Sequence, residues 1–324
     1  NIGYHVLGIG ALGYVTATRA ELPTQLEPQG ADPKYMIANV EKYFGGGMEA
    51  FVAGRYEEAL KNFKRMIELD PTNVQARMFL GRTLMEMGDL EGAAKAFLEA
   101  TAIDSSYSQG FFRLGVIYRE MNDLEKSLMF FRIAAHLFPE TPGVLSNIGS
   151  ILYEQGKTDS AMIFFNQALE IDPQDQIALF NIALSYLAND NLDSALVWFH
   201  KTLRANPTHL KALVNIATIY IKQNNPDSTL AYLEKARAVA PDDARILQNL
   251  GNAYRLKGMP SEAAEAFEAA LQIEPQNYMA LFGLAAVKAE QGNTQESISL
   301  LRKVLKIKPD FTAAKVALSK LTGE

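Results

Sequence analysis

The sequence has no cysteine, a single tryptophan and only four histidines in 324 residues. Without a thiol there can be no disulfide, no cysteine-ligated zinc and no cysteine nucleophile. His5, His136, His200 and His209 include no pair three or four residues apart, so no helical metal pair is expected. Dense basic runs are missing too. With 31 Lys+Arg against 37 Asp+Glu, and a formal charge of −6, the chain lacks the positive stripe that holds a phosphate backbone. Nucleic acid is therefore not an expected partner. Gly45-Gly46-Gly47 is followed by neither Lys-Ser nor Lys-Thr, so it is no phosphate loop. Acidic side chains recur singly, as Glu86, Glu120 and Glu154, rather than paired across a pocket. No catalytic constellation and no cofactor site is expected.

What the sequence does have is apolar material and a period. Hydrophobic residues make up 48% and charged residues 21%, which suits a packed chain rather than a disordered one. Pro139, Pro173, Pro207, Pro241, Pro275 and Pro309 follow one another at intervals of 34. Pro71 lies two periods before Pro139, with Ser105 in the missing place. Eight units then run without insertion: 40–73, 74–107, 108–141, 142–175, 176–209, 210–243, 244–277 and 278–311.

Each unit repeats the same sizes at the same places. Position 8 is small: Gly47, Gly81, Gly115, Gly149, Ala183, Ala217, Gly251 and Ala285. Position 20 is small as well, from Ala59 to Ser297, and position 24 is Phe63, Phe97, Phe131, Phe165, Phe199, Leu233, Phe267 and Leu301. Small side chains let two helices cross closely, and the large one fills the space beside the crossing. Gly54, Gly88, Asn122, Gly156, Asp190, Asn224, Gly258 and Gly292 mark a turn inside each hairpin, being residues that tolerate a left-handed backbone. Asn73, Asp175, Asp243 and Asn277 are expected to cap the helices that follow.

This pattern resembles the tetratricopeptide repeat, clearest in Leu250-Gly251-x-x-Tyr254, Ala263-x-x-x-Phe267-x-x-Ala270 and Pro275. The family's tryptophan at position 4 is absent, with leucine there in units four to eight. The resemblance covers 40–311 and implies an all-α fold. The expected architecture is a right-handed superhelical solenoid of helix-turn-helix hairpins, its concave groove lined by first helices. A last helix within 312–324 reads as a polar cap on the exposed end.

In that register, position 6 holds Asn147, Asn181, Asn215 and Asn249 in consecutive units. Asparagine is mildly unfavourable in a helix, so four at one period form a ladder that invites explanation. An amide offers a donor and an acceptor, as the main chain of an extended peptide requires. The alternative is that each amide satisfies a neighbouring side chain or reflects repeat duplication. Phe112, Phe180 and Tyr153 are apolar candidates for the same groove, and Arg113 and Lys211 charged ones, with Arg119 and Arg255 beside them. A clamp for chaperone tails is not expected, because the family's lysine at position 5 has no counterpart here.

Residues 1–18 carry no charge apart from a possible one on His5, and include Ile2, Val6, Leu7, Ile9, Leu12 and Val15. As a helix this segment would reach about 27 Å, near the lower limit for a bilayer core. It reads as a membrane anchor, completed by residues upstream, with a signal peptide or a partner-contacting arm as the other readings. Residues 19–39, with Pro23, Pro28 and Pro33, read as a linker. The expected function is a non-catalytic interaction scaffold, tethered to a membrane with its repeats on the periplasmic or extracytoplasmic side. A soluble, cytoplasmic peptide-binding adaptor or co-chaperone is the alternative.

Overall fold

The computed structural model describes residues 33–323, which form seventeen α-helices and, among the described residues, no strand. The proposed anchor, with Ile2, Val6, Leu7, Ile9, Leu12 and Val15, lies outside the described residues. Among the described residues no helix is long and apolar enough to cross a membrane.

The described residues divide into two compact units, one ending at Pro173 and the other starting at Gln174. The first contains α1 (Pro33–Val52), α2 (Tyr56–Leu69), α3 (Val74–Glu86), α4 (Leu90–Ile103), α5 (Ser108–Glu120), α6 (Leu124–Leu137), α7 (Pro142–Glu154) and α8 (Thr158–Ile171). The second contains α9 (Gln176–Ala188), α10 (Leu192–Ala205), α11 (Leu210–Lys222), α12 (Pro226–Val239), α13 (Ala244–Leu256), α14 (Pro260–Ile273), α15 (Tyr278–Glu290), α16 (Thr294–Ile307) and α17 (Thr312–Thr322). Within each unit, consecutive helices pair as hairpins, and each hairpin packs on the next. The first helix starts at Pro33, inside the stretch read as a linker. Proline is well placed there, because its missing N–H is one that a helix start leaves unpaired anyway.

Left-handed backbone closes every hairpin at the residue the sequence marks, with φ from 53° at Asn224 to 81° at Gly292. Three of these eight are not glycine: Asn122, Asp190 and Asn224. Asn73, Asp175, Asp243 and Asn277 each accept a backbone N–H from the first turn of α3, α9, α13 and α15. These bonds pair donors that a helix start leaves open.

The interior of each hairpin is set by positions 8 and 24. Phe63, Phe97, Phe131, Phe165, Phe199 and Phe267 are fully buried. Burial of each contributes about 1.5–3 kcal/mol. A Cβ added to Gly47, Gly81, Gly115, Gly149 or Gly251 would stand 2.6–2.8 Å from the phenylalanine of the same hairpin. Where position 24 is the smaller Leu233 or Leu301, position 8 is Ala217 or Ala285, which keeps volume in those two hairpins, while the fifth holds both Ala183 and Phe199. In two hairpins position 20 also fastens the crossing: Ser127 Oγ donates to the Gly115 carbonyl at 2.7 Å, and Ser297 Oγ to that of Ala285 at 2.8 Å.

At the end of the second unit, α17 buries Ala314 and packs Ala317, Leu318 and Leu321 against the preceding hairpin. Lys315, Val316 and Lys320 stay exposed. An amphipathic helix of this kind covers the last apolar face while presenting charge to water.

Candidate partner-binding face

With second helices supplying the phenylalanines, the sequence-selected residues all fall on first helices: Phe112 and Arg113 on α5, Asn147 and Tyr153 on α7, Phe180 and Asn181 on α9, Lys211 and Asn215 on α11, Asn249 on α13.

The asparagines are not equivalent. In the first unit Asn147 is buried. Its Nδ2 donates to the Gly143 carbonyl at 2.7 Å, and its Oδ1 accepts from Arg119 Nη1 at 3.1 Å. Arg119 is also ion-paired through Nη2 to Glu154. This amide therefore satisfies a neighbour, as the alternative sequence reading had it, and its acceptor is already engaged. In the second unit Asn181, Asn215 and Asn249 are half-buried. Asn181 Nδ2 donates to the Ile177 carbonyl at 2.8 Å, and Asn215 Nδ2 to that of Lys211 at 2.7 Å. Each bond to the carbonyl four residues back fixes the rotamer and uses one of the amide's two N–H groups. At Asn181 and Asn215 the polar feature is thus repeated in orientation as well as in sequence.

Steric exclusion accounts for the end of the series. Position 6 of the last unit is Gly283, where a Cβ would stand 2.3 Å from the Phe267 ring. No asparagine fits there without moving a fully buried phenylalanine.

The aromatic candidates are partly spent on packing. Phe112 lies edge-on to Phe131 with centroids 5.6 Å apart, and Phe180 lies 5.7 Å from Phe199 and 4.8 Å from His209. Both are half-buried, so each shows only part of its surface to a partner. Tyr153 is half-buried and Lys211 exposed.

Some of the charge along the first helices is paired from one repeat to the next. Arg119 meets Glu154, and Arg255 Nη1 meets Glu290 Oε1 at 2.8 Å. Both pairs join position 12 of one unit to position 13 of the next, so the acidic stripe seen in the sequence is in part a set of inter-repeat ties. In the second unit a cleft of 280 Å³ opens between the turn of the sixth hairpin and α13, lined by Asn224, Asn225, Asn249, Asn252 and Arg255 among others. The Nε of Arg255 is buried and, among the described residues, has no hydrogen-bond partner.

Arg82 and Asn252 escaped the sequence reading, and His209 entered it only as a histidine without a metal partner. Asn252 and Arg82 occupy position 9, a groove position whose residue type varies too much for a period to show. His209 caps α11: Ala212 N–H donates to its Nδ1 at 3.2 Å. Its place immediately before the helix, where aspartate or asparagine stands in other units, was the available signal. Trp198 packs in the fifth hairpin, with Lys201 Nζ 3.6 Å from its ring centroid. Among the described residues no group of three or more His, Asp or Glu side chains could hold a metal ion.

Family models described as tetratricopeptide repeat match residues 50–109 and 254–321, 112–176, and 208–276. A model of anaphase-promoting complex (cyclosome) subunit 3 matches 154–236. No curated protein matches the chain. Among solved structures, YrrB, a TPR protein with an unusual peptide-binding site, is 24% identical with a TM-score of 0.53, over 58% of this chain and 96% of its own. Pseudomonas aeruginosa pilF is 21% identical with a TM-score of 0.58, over 68% and 98%. A chain of the APC/C hetero-tetramer Cut9-Hcn1 is 15% identical with a TM-score of 0.55, over 86% of this chain and 55% of its own. At these identities the likeness is one of fold.

Proposed function

The chain belongs to the tetratricopeptide-repeat family, and on that premise we propose that it is a non-catalytic scaffold whose first helices receive extended segments of partner proteins. The observation that carries this reading is the repeated amide of the second unit. Asn181 and Asn215 are half-buried, held in one rotamer by their i−4 carbonyls, and set one period apart. A surface that repeats one donor–acceptor group in one orientation suits a main chain, which repeats its own amides. Peptide binding in YrrB and complex membership in Cut9-Hcn1 accord with this use of the fold.

The membrane tether and the extracytoplasmic placement are proposed on residues 1–18 alone, through their uncharged, apolar composition. Partition of the native protein tests them: recovery only with detergent is expected, and full recovery in the aqueous fraction would refute them. For the scaffold itself, the double variant Asn181→Ala and Asn215→Ala should keep its helical content and melting temperature. It should also lose proteins that co-purify with the wild type. Retention of every partner by a folded double variant would remove these amides from the function.

A further inference from the structure

On the first helices of the first unit two arginines, Arg82 and Arg113, stand apart from the paired charges. Arg82 on α3 has its Cζ 5.2 Å from the ring centroids of both Phe51 and Phe79. Arg113 on α5 is half-buried, its Cζ 6.0 Å from the centroid of Phe112. Among the described residues neither guanidinium has a hydrogen bond or an ion pair to an acid. Other arginines of the same unit do: Arg77 with Glu99, and Arg119 with Glu154.

Resting on the peptide-binding reading above, we propose that Arg82 and Arg113 together receive a carboxylate from an acidic residue of the partner segment, with an apolar neighbour of that residue seated among Phe51, Phe79 and Phe112.

The physical case has three parts. A guanidinium carries five N–H donors and no acceptor, so two of them without an anion leave many donors to water alone. A guanidinium lying over a ring keeps its in-plane N–H edges open, and those edges match a carboxylate in bidentate fashion. Two like charges on neighbouring first helices repel unless an anion comes between them. Burial first, and the Arg82 charge second, push Arg113 below its ordinary value, and Glu86 does not cancel the effect. Glu86 also argues for the class of ligand, since a polyanion would meet its charge whereas a segment with one or two carboxylates need not.

The test is selection from a randomised twelve-residue peptide library on the immobilised chain and on its Arg82→Gln, Arg113→Gln double variant. Wild type should enrich peptides carrying Asp or Glu next to an apolar residue, and the variant should enrich peptides without that acidic excess. An enriched acidic peptide should bind the variant about tenfold or more weakly, as loss of a bidentate charge pair implies. Its binding to wild type should weaken as salt is raised. Enriched peptides with no acidic excess on wild type, or with the same excess on a variant of unchanged melting temperature, would overturn the arginine pair while leaving peptide binding standing. No enrichment on either protein would overturn the peptide-binding reading and this inference with it. The Arg82→Lys, Arg113→Lys variant keeps the charge and should retain acidic preference at reduced affinity, which separates the carboxylate contact from a merely structural role.

Discussion

Gly149 approaches Phe165 so closely that a Cβ on the glycine would stand 2.6 Å from the ring. The hairpin α7–α8 is closed by this contact, and its counterparts occur at Gly47, Gly81, Gly115 and Gly251. Gly149→Ala must displace a fully buried phenylalanine and should destabilise by about 1–3 kcal/mol. Adding Phe165→Leu recreates the alanine–leucine pairing of Ala217 with Leu233, so the two changes together should cost less than their sum. A double-mutant cycle of thermal melts checks the coupling; strict additivity would show that the two positions do not share the crossing.

Arg77 occupies position 4, where Leu145, Leu179, Leu213, Leu247 and Leu281 stand in later units. It is buried, and its Nε lies 3.3 Å from Glu99 Oε2. Desolvating the cation offsets much of what the pair contributes. Arg77→Leu should therefore be neutral or stabilise by about 1–2 kcal/mol. Glu99→Ala leaves the buried cation without its partner and should destabilise. Denaturant melts of both variants decide it, and the opposite ordering would contradict the argument.

His209 accepts the Ala212 N–H only through an unprotonated Nδ1. Burial, with the Lys211 charge adding to it, pushes the imidazole below its ordinary value despite a backbone hydrogen bond that acts the other way. The folded state thus favours the neutral ring. The resulting stability is fully present above the unfolded value of about 6.5 and is lost as pH falls through the folded one. His209→Asn should keep the cap, as Asn73 and Asn277 do, and flatten this part of the pH profile. Melting temperatures from pH 7.5 down to pH 5 provide the check.

Asp190 holds φ at 55° in the turn between α9 and α10, a conformation that crowds a side chain. Asp190→Gly should stabilise by up to about 1 kcal/mol, and Gly156→Val, at φ 75°, should destabilise by about 1–2 kcal/mol. Chemical denaturation of the two variants tests the sign of each.

The fold was legible because a period turns weak signals into a register. One glycine says little, but Gly149 lies 16 residues before Phe165 as Gly251 does before Phe267, and the hairpin follows. Turn and cap residues were legible for the same reason. What the period could not show was which partner a polar side chain takes. Asn147 and Asn215 share one position, yet Arg119, one repeat earlier, engages the acceptor of the first. Gly283 carries no repeated signal of its own, and Phe267 of the preceding repeat fills the space a side chain there would need. Arg82 and Arg113 differ from their register mates, so nothing repeated drew attention to the pair. These are contacts between repeats, and a pattern read within one repeat does not contain them.

The most direct test of the scaffold reading is site-specific photocrosslinking in cells. A benzoylphenylalanine is placed at Asn215 on first helix α11 in one variant, and at exposed Val197 on second helix α10 in another. The account predicts that the probe at position 215 forms discrete adducts with partner protein while the probe at 197 forms few or none. Equal adducts from both positions, or adducts from 197 alone, would contradict it.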